Sequence, residues 1–348
     1  MKKRLPSCGF SFYSRVFVCL LVWLVIPGYS VSIVGKTYTS SNYNISSFIA
    51  DHNYLWAGTN GEGLIRIDKV TGKTVLFVST NSGIPDDYIR GLAVDTNGAL
   101  IVATSKAGVV RFDGNNWEKI TGTDESVRSV VTDNYGNIWA WMQSSGIVRY
   151  SAGTWQTVVN RFTGIMVSSQ QGNVWFFKMP LNPTADCNDG WIQEYENGGL
   201  NTTRMLGDNC SEIEYPSCMV VDNKKNCWIS SSGTLIKSTD VSFNRFEIKN
   251  DTNESRSVTA LAVNHDDILL IAVSDFMEKS EIYLYDQKAA SQPSFDSSTF
   301  SLDVKSIMAA CYDKETGDFW CVASDGKILK IGQFKNISVF RDAVSVLP

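Results

Sequence analysis

Short apolar runs alternate with clusters of Asp, Asn and Gly from about Ile45 to Phe340, and the same succession returns roughly every 40 to 50 residues. Residues 127–159 show the unit most completely. Val127 to Thr132 is a β-branched run, the Asp133 to Asn137 turn follows, and Ile138 to Met142, Gly146 to Tyr150 and Thr154 to Val159 complete it. The runs are short for helices and rich in side chains that suit a pleated surface, so each is predicted as a strand. Four such strands joined by tight turns form an antiparallel meander the size of one propeller blade.

The second run carries the clearest mark. Tyr54-Leu-Trp-Ala-Gly comes first, then Ala99-Leu-Ile-Val-Ala behind Asp95 to Gly98, Ile138-Trp-Ala-Trp, Val174-Trp-Phe-Phe, Cys227-Trp-Ile-Ser, Ile268-Leu-Leu-Ile-Ala and Gly317-Asp-Phe-Trp-Cys. Those are seven copies, which predicts an all-β, seven-bladed β-propeller of four-stranded antiparallel blades, one domain over residues 31–348. Trp56, Trp139, Trp175, Trp228 and Trp320 recur as packing between blades requires and are expected in the core. Closure of the last blade is open at this point, because Val34 to Thr39 and Asn336 to Phe340 both read as its fourth strand.

Composition supports a folded chain: 43% of the 348 residues are hydrophobic and 19% charged, with the signs interspersed. The apolar block Val16 to Ile26 follows Lys2, Lys3, Arg4 and Arg15 and precedes Pro27-Gly-Tyr-Ser. It has the three-part plan of an export signal and is short for a membrane span, so residues 1–30 are expected to be a signal peptide cleaved after Ser30, leaving no span behind. Cleavage removes four positive charges from the 31 basic residues, leaving 27 against 36 acidic ones and a net charge of −9. Such a chain is a poor partner for nucleic acid. A periplasmic or secreted location follows, and six cysteines remain there: Cys187, Cys210, Cys218, Cys227, Cys311 and Cys321.

Asp133-Asn-Tyr-Gly-Asn-Ile-Trp-Ala followed by Ser145-Gly-Ile-Val-Arg-Tyr resembles the two-component regulator propeller repeat, and Tyr54-Leu-Trp-Ala-Gly-Thr-Asn-Gly-Glu-Gly-Leu-Ile-Arg-Ile-Asp resembles it more closely. The resemblance implies the periplasmic sensing propeller of hybrid histidine kinases, which read products of polysaccharide breakdown. Such sensors carry two propellers, a β-sandwich, a membrane helix and a kinase. Here the expectation is a stand-alone propeller, a binding module that relays to a membrane sensor or another protein partner. A protein-docking or assembly scaffold is the alternative, and a propeller lyase or glycosidase a third reading.

Insertions point to one end. Met179 to Asp189 lengthens the loop between the second and third strands of the fourth copy, and Gly207 to Pro216 lengthens the connection to the fifth; both emerge at the same end of a propeller. Cys187 and Cys210 can join these loops as a disulfide, with Cys210 to Cys218 as the rival pairing. Parity places Cys218 and Cys227 on opposite faces of one hairpin, and Cys311 and Cys321 likewise, so Cys227, Cys311 and Cys321 are read as small buried hydrophobes.

At the same end, alignment of the copies places Arg90, Arg128 and Lys305 at one position at the start of the innermost strand, with Ser46, Gly164, Ser217 and Thr259 in the others. Converging cations suit a carboxylate or sulfate on an oligosaccharide or other small polar ligand. Trp141 and Phe177 replace Gly58, Ala103 and Ser230 of other copies, either as repacked core or as platforms for a sugar ring, and Lys178 beside Phe177 joins the candidate set. Catalytic patterns are sparse. His52 and His265 both fall in turns at the opposite end, and no cofactor loop or metal-ligand spacing occurs.

Overall fold

The computed structural model describes residues 29–36, 44–123, 126–179, 190–196, 198–206, 213, 216–231, 233–248, 256–274, 280–288, 293, 300–302 and 304–333. They form seven four-stranded antiparallel sheets. The innermost strands, which number the blades 1 to 7, are Ile45–Ala50, Ile89–Val94, Val127–Thr132, Gly164–Ser168, Pro216–Val221, Ser257–Val263 and Ile307–Tyr312. Each touches the innermost strand of the next blade, and the seventh touches the first, so the ring closes. Among the described residues there is no helix. The third blade comes out nearly as the sequence predicts, its strands being Val127–Thr132, Ile138–Met142, Gly146–Ser151 and Thr154–Val159.

Burial explains why the unit repeats. Successive side chains of a strand face opposite neighbours, and the core divides into seven clusters, one between each pair of adjacent blades. On the second strand of blade 1, Leu55 and Ala57 pack towards blade 7 while Trp56 packs towards blade 2. Trp139, Trp175, Trp228 and Trp320 face their following blades in the same way, with Ile101 and Leu270 in the two blades that lack the indole. Burying one indole removes on the order of 200 Å² from water, worth roughly 5 kcal/mol as an upper bound.

Closure is made by the N-terminal segment. Tyr29–Lys36 pairs antiparallel with Lys327–Gln333, the third strand of blade 7, and becomes its outer strand. This strand starts five residues before the Val34 expected for it and takes in Tyr29 and Ser30, so a cut after Ser30 would remove its first two residues. The rival at Asn336 to Phe340 lies outside the described residues, as do Cys187 and Cys210, and with them both proposed disulfides. Cys218, Cys227, Cys311 and Cys321 are free thiols. As parity requires, Cys218 and Cys227 belong to different inter-blade clusters, and so do Cys311 and Cys321. Cys227 and Cys321 are buried, whereas Cys311 is half-buried and reaches the channel wall.

Candidate functional site

The innermost strands line a channel whose two mouths differ. At the mouth where those strands begin, Ile89 and Gly91 of blade 2 pair with Thr104 and Ala103, leaving Arg90 as an extra residue in the ladder; in blade 3 the register shift between Val127 and Ser129 leaves Arg128 in the same place. A bulge bends the strand and re-aims the extra side chain. Ser46, Thr259 and Met308 occupy the equivalent bulges of blades 1, 6 and 7. The sequence alignment is therefore corrected in blade 7. Lys305 lies in the connection before Ile307–Tyr312, where its carbonyl accepts from Ser280 Oγ at 3.0 Å, and an uncharged Met308 takes the ring position.

The cations are thus concentrated on two adjacent blades, and a cavity of about 550 Å³ lies beside them, lined by Ser46, Arg90, Arg128, Trp141, Gln143 and Phe162, with Asn60 and Thr163. Arg90 Nη1 donates to Asn60 Oδ1 at 2.8 Å, and its Nη2 lies 3.5 Å from Ser105 Oγ. Arg128 Nη2 donates to Gln143 Oε1 at 3.0 Å. Both guanidinium groups are positioned by neutral oxygens, which orient the charge without cancelling it. Trp141 is half-buried and meets Phe162 edge to face, the ring centroids 5.3 Å apart at 87°. The inserted loop of blade 4 begins next to this wall, where Met179 N donates to Thr163 O at 2.8 Å.

Phe177 and Lys178 do not join the site. Phe177 is fully buried in the cluster between blades 4 and 5 with Ile192, Leu206 and Met219, so it offers no ring face to a ligand. A side chain at residue 164 would place its Cβ 1.8 Å from Phe177 O, and Gly164 is the residue that lets the first two strands of blade 4 approach this closely. Lys178 ends its strand opposite Gly164 and Trp191, half-buried and away from the cavity lining.

The larger cavity, about 690 Å³, lies at the opposite mouth. Its polar groups are mostly committed to the turns that build it. Asp51 accepts from the amides of Asn53 and Tyr54 and the indole of Trp56; Asp95 accepts from Asn97 and Ala99 and pairs with Arg111; Asp313 holds Lys69 at 2.6 Å. Across this mouth Gln170 Nε2 donates to Val263 O at 2.8 Å, and Lys314 Nζ reaches Gln170 O at 3.4 Å, so side chains of blades 4 and 7 span the opening. His52 contacts Glu315 and His265 contacts Tyr312 here, with side chains 76% and 64% exposed. We place the site at the other mouth, where two guanidinium groups meet no carboxylate among the described residues, although its cavity is the smaller.

Sequence reading missed the use of the turn aspartates. In blade 3, Asp133 accepts from the amides of Tyr135 and Asn137, from Asn137 Nδ2 and, at 2.9 Å, from Trp139 Nε1; Asp222 does the same for Trp228 at 3.1 Å. The Asp-to-Trp spacing carried that signal. A second regularity lies opposite four of the five indoles: Arg66, Arg149, Lys237 and Lys330 of the third strands pair with Trp56, Trp139, Trp228 and Trp320, with the charge 4.8 to 5.9 Å from the ring, whereas Glu194 stands opposite Trp175. Burial pushes the Cys227 thiol up to about 12 and also raises Cys218, so these sulfurs pack as protonated small hydrophobes.

No protein-family model matches the sequence, and no curated protein matches it. Solved structures share the fold. Virginiamycin B lyase from Staphylococcus aureus is 14% identical over 88% of this chain and 100% of its own, with a TM-score of 0.61. The extracellular domain of the hybrid two-component system BT4673 from B. thetaiotaomicron is 13% identical over 87% of this chain and 42% of its own, at 0.59. The WD40 β-propeller domain of Doa1 is 13% identical over 88% of this chain and 98% of its own, also at 0.59. A lyase, the extracellular domain of a two-component system and a WD40 domain thus share this architecture, and the fold alone does not decide between catalysis and binding.

Proposed function

We propose that this chain is an exported, non-catalytic binding propeller that holds a saccharide or similar small polar ligand at the mouth formed by Arg90, Arg128 and Trp141, and relays occupancy to a membrane sensor or other protein partner. The observation that carries the reading is the meeting of two arginines and a half-buried indole around one cavity of about 550 Å³, a volume in the range of small-ligand sites. Fixed hydrogen-bond donors beside an aromatic wall are what a sugar requires: hydroxyls or acidic groups on the donors, ring C–H on the indole. The likeness to the extracellular domain of a two-component system supports a sensing role, and the Val16 to Ile26 block supports export.

A thermal-shift screen with neutral and anionic oligosaccharides tests it. Binding to the folded state alone raises the melting temperature by mass action. A saccharide that stabilises the wild type and fails to stabilise Trp141→Ala is the expected result. Capture of one stoichiometric protein partner, with no saccharide shifting the transition, would instead favour the docking scaffold.

A further inference from the structure

We infer that the ligand of this mouth carries an anionic group on a sugar ring, a carboxylate or a sulfate, bound between Arg90 and Arg128 with the ring against Trp141. The inference rests on the binding reading above and adds the charge class of the ligand. Ser46 and Thr259 show that the bulged position needs no charge for folding, yet blades 2 and 3 each put a guanidinium there, on neighbouring strands that open into one cavity. Two like charges at one mouth repel each other, a cost that an anion between them reverses.

What sets these two arginines apart is the cavity they share. Elsewhere in the blades Arg111 meets Asp95, Arg204 meets Asp240 and Arg256 meets Glu281, while Arg66 and Arg149 lie over aromatic rings. Arg90 and Arg128 meet amide and hydroxyl oxygens, as Arg149 also does with Gln156 and Tyr195, but they do so on the wall of one cavity. Neither meets a carboxylate among the described residues, and both line the cavity, where an outside anion can reach them together. A guanidinium has five N–H donors in a planar fork. Arg128 commits one of them, which leaves enough of its fork for a carboxylate or sulfate oxygen pair.

Calorimetric titration of the whole chain with two matched pairs tests this: trigalacturonate against its fully methyl-esterified form, and a 6-sulfated galactose disaccharide against the unsulfated one. The expected result is that one charged member binds about ten- to a hundredfold more tightly than its neutral twin, that added salt narrows the gap, and that R90Q/R128Q abolishes it. The uronate arm answering alone identifies a carboxylate, and the sulfate arm alone a sulfate. R90Q/R128Q should melt no lower than the wild type without ligand, since it removes a repulsion and leaves the blade cores intact. Equal binding of charged and neutral twins, weakened by Trp141→Ala, would overturn the anionic assignment and leave the mouth as the site. No binding in any arm would contradict both.

Discussion

At the scale of the residue, one carboxylate organises each well-formed turn. Asp133 accepts two turn amides, an asparagine side chain and the indole N–H of Trp139, so the turn and the core side chain are fixed by one group. Blade 4 lacks this device. Ser169 replaces the aspartate, and Trp175 Nε1 is buried without a partner among the described residues, while Arg204 lies over its ring at 5.1 Å. The two indoles are equally buried but differ in hydrogen bonding. Trp139→Phe should therefore cost about 1 to 2 kcal/mol more than Trp175→Phe, because the first change also strips a buried carboxylate of a donor. Urea unfolding of the two variants checks it, and equal losses would mean that the Asp–Trp bond adds nothing to packing.

At the scale of the element, the strands are visible in the sequence because each blade must bury two faces, and that demand writes a nearly continuous apolar run into the second strand of every blade. Single-residue bulges were hidden, since an extra residue in the ladder leaves no compositional trace. That is why Arg90 and Arg128 were placed correctly while Lys305 was assigned a position that belongs to Met308. Phe177 failed for another reason: a large residue at a normally small site reads the same whether it repacks the core or faces a ligand, and the neighbouring blade decides.

The join between the last blade and the first is legible only in part, since Val34 to Thr39 is one of two candidate strands for it and overlaps the strand that forms it. It combines the outer strand Tyr29–Lys36 with a buried ion pair, Lys69 of blade 1 to Asp313 of blade 7. Burial opposes ionisation of Asp313, but the hydrogen bonds from Lys69 and Thr316 outweigh it and hold the carboxyl below its ordinary value. A carboxylate with a lowered folded pKa contributes stability above its unfolded value, and that contribution fades as pH falls through the folded one. Asp313→Asn should cost about 3 to 5 kcal/mol near neutrality by leaving Lys69 buried without its counter-charge. The gap in melting temperature between wild type and variant should shrink below about pH 4; a gap independent of pH would show that the pair does not form.

For the whole molecule, the asymmetry of the channel matters most. One mouth is spanned by Gln170 and Lys314 and its acids are largely spent on turns, whereas the other opens beside two arginines and an indole. A rigid ring of seven blades keeps those three side chains in register although they come from two separate sheets. The location of the ligand is the central claim, and hydrogen exchange measured with and without the saccharide that most raises the melting temperature tests it most directly. Slowed exchange is predicted in the loops at residues 60–63, 105–107, 143–146 and 161–163, with the turns at 51–53 and 313–315 unchanged. Protection confined to those opposite turns, or none in the loops around Arg90 and Arg128, would contradict it.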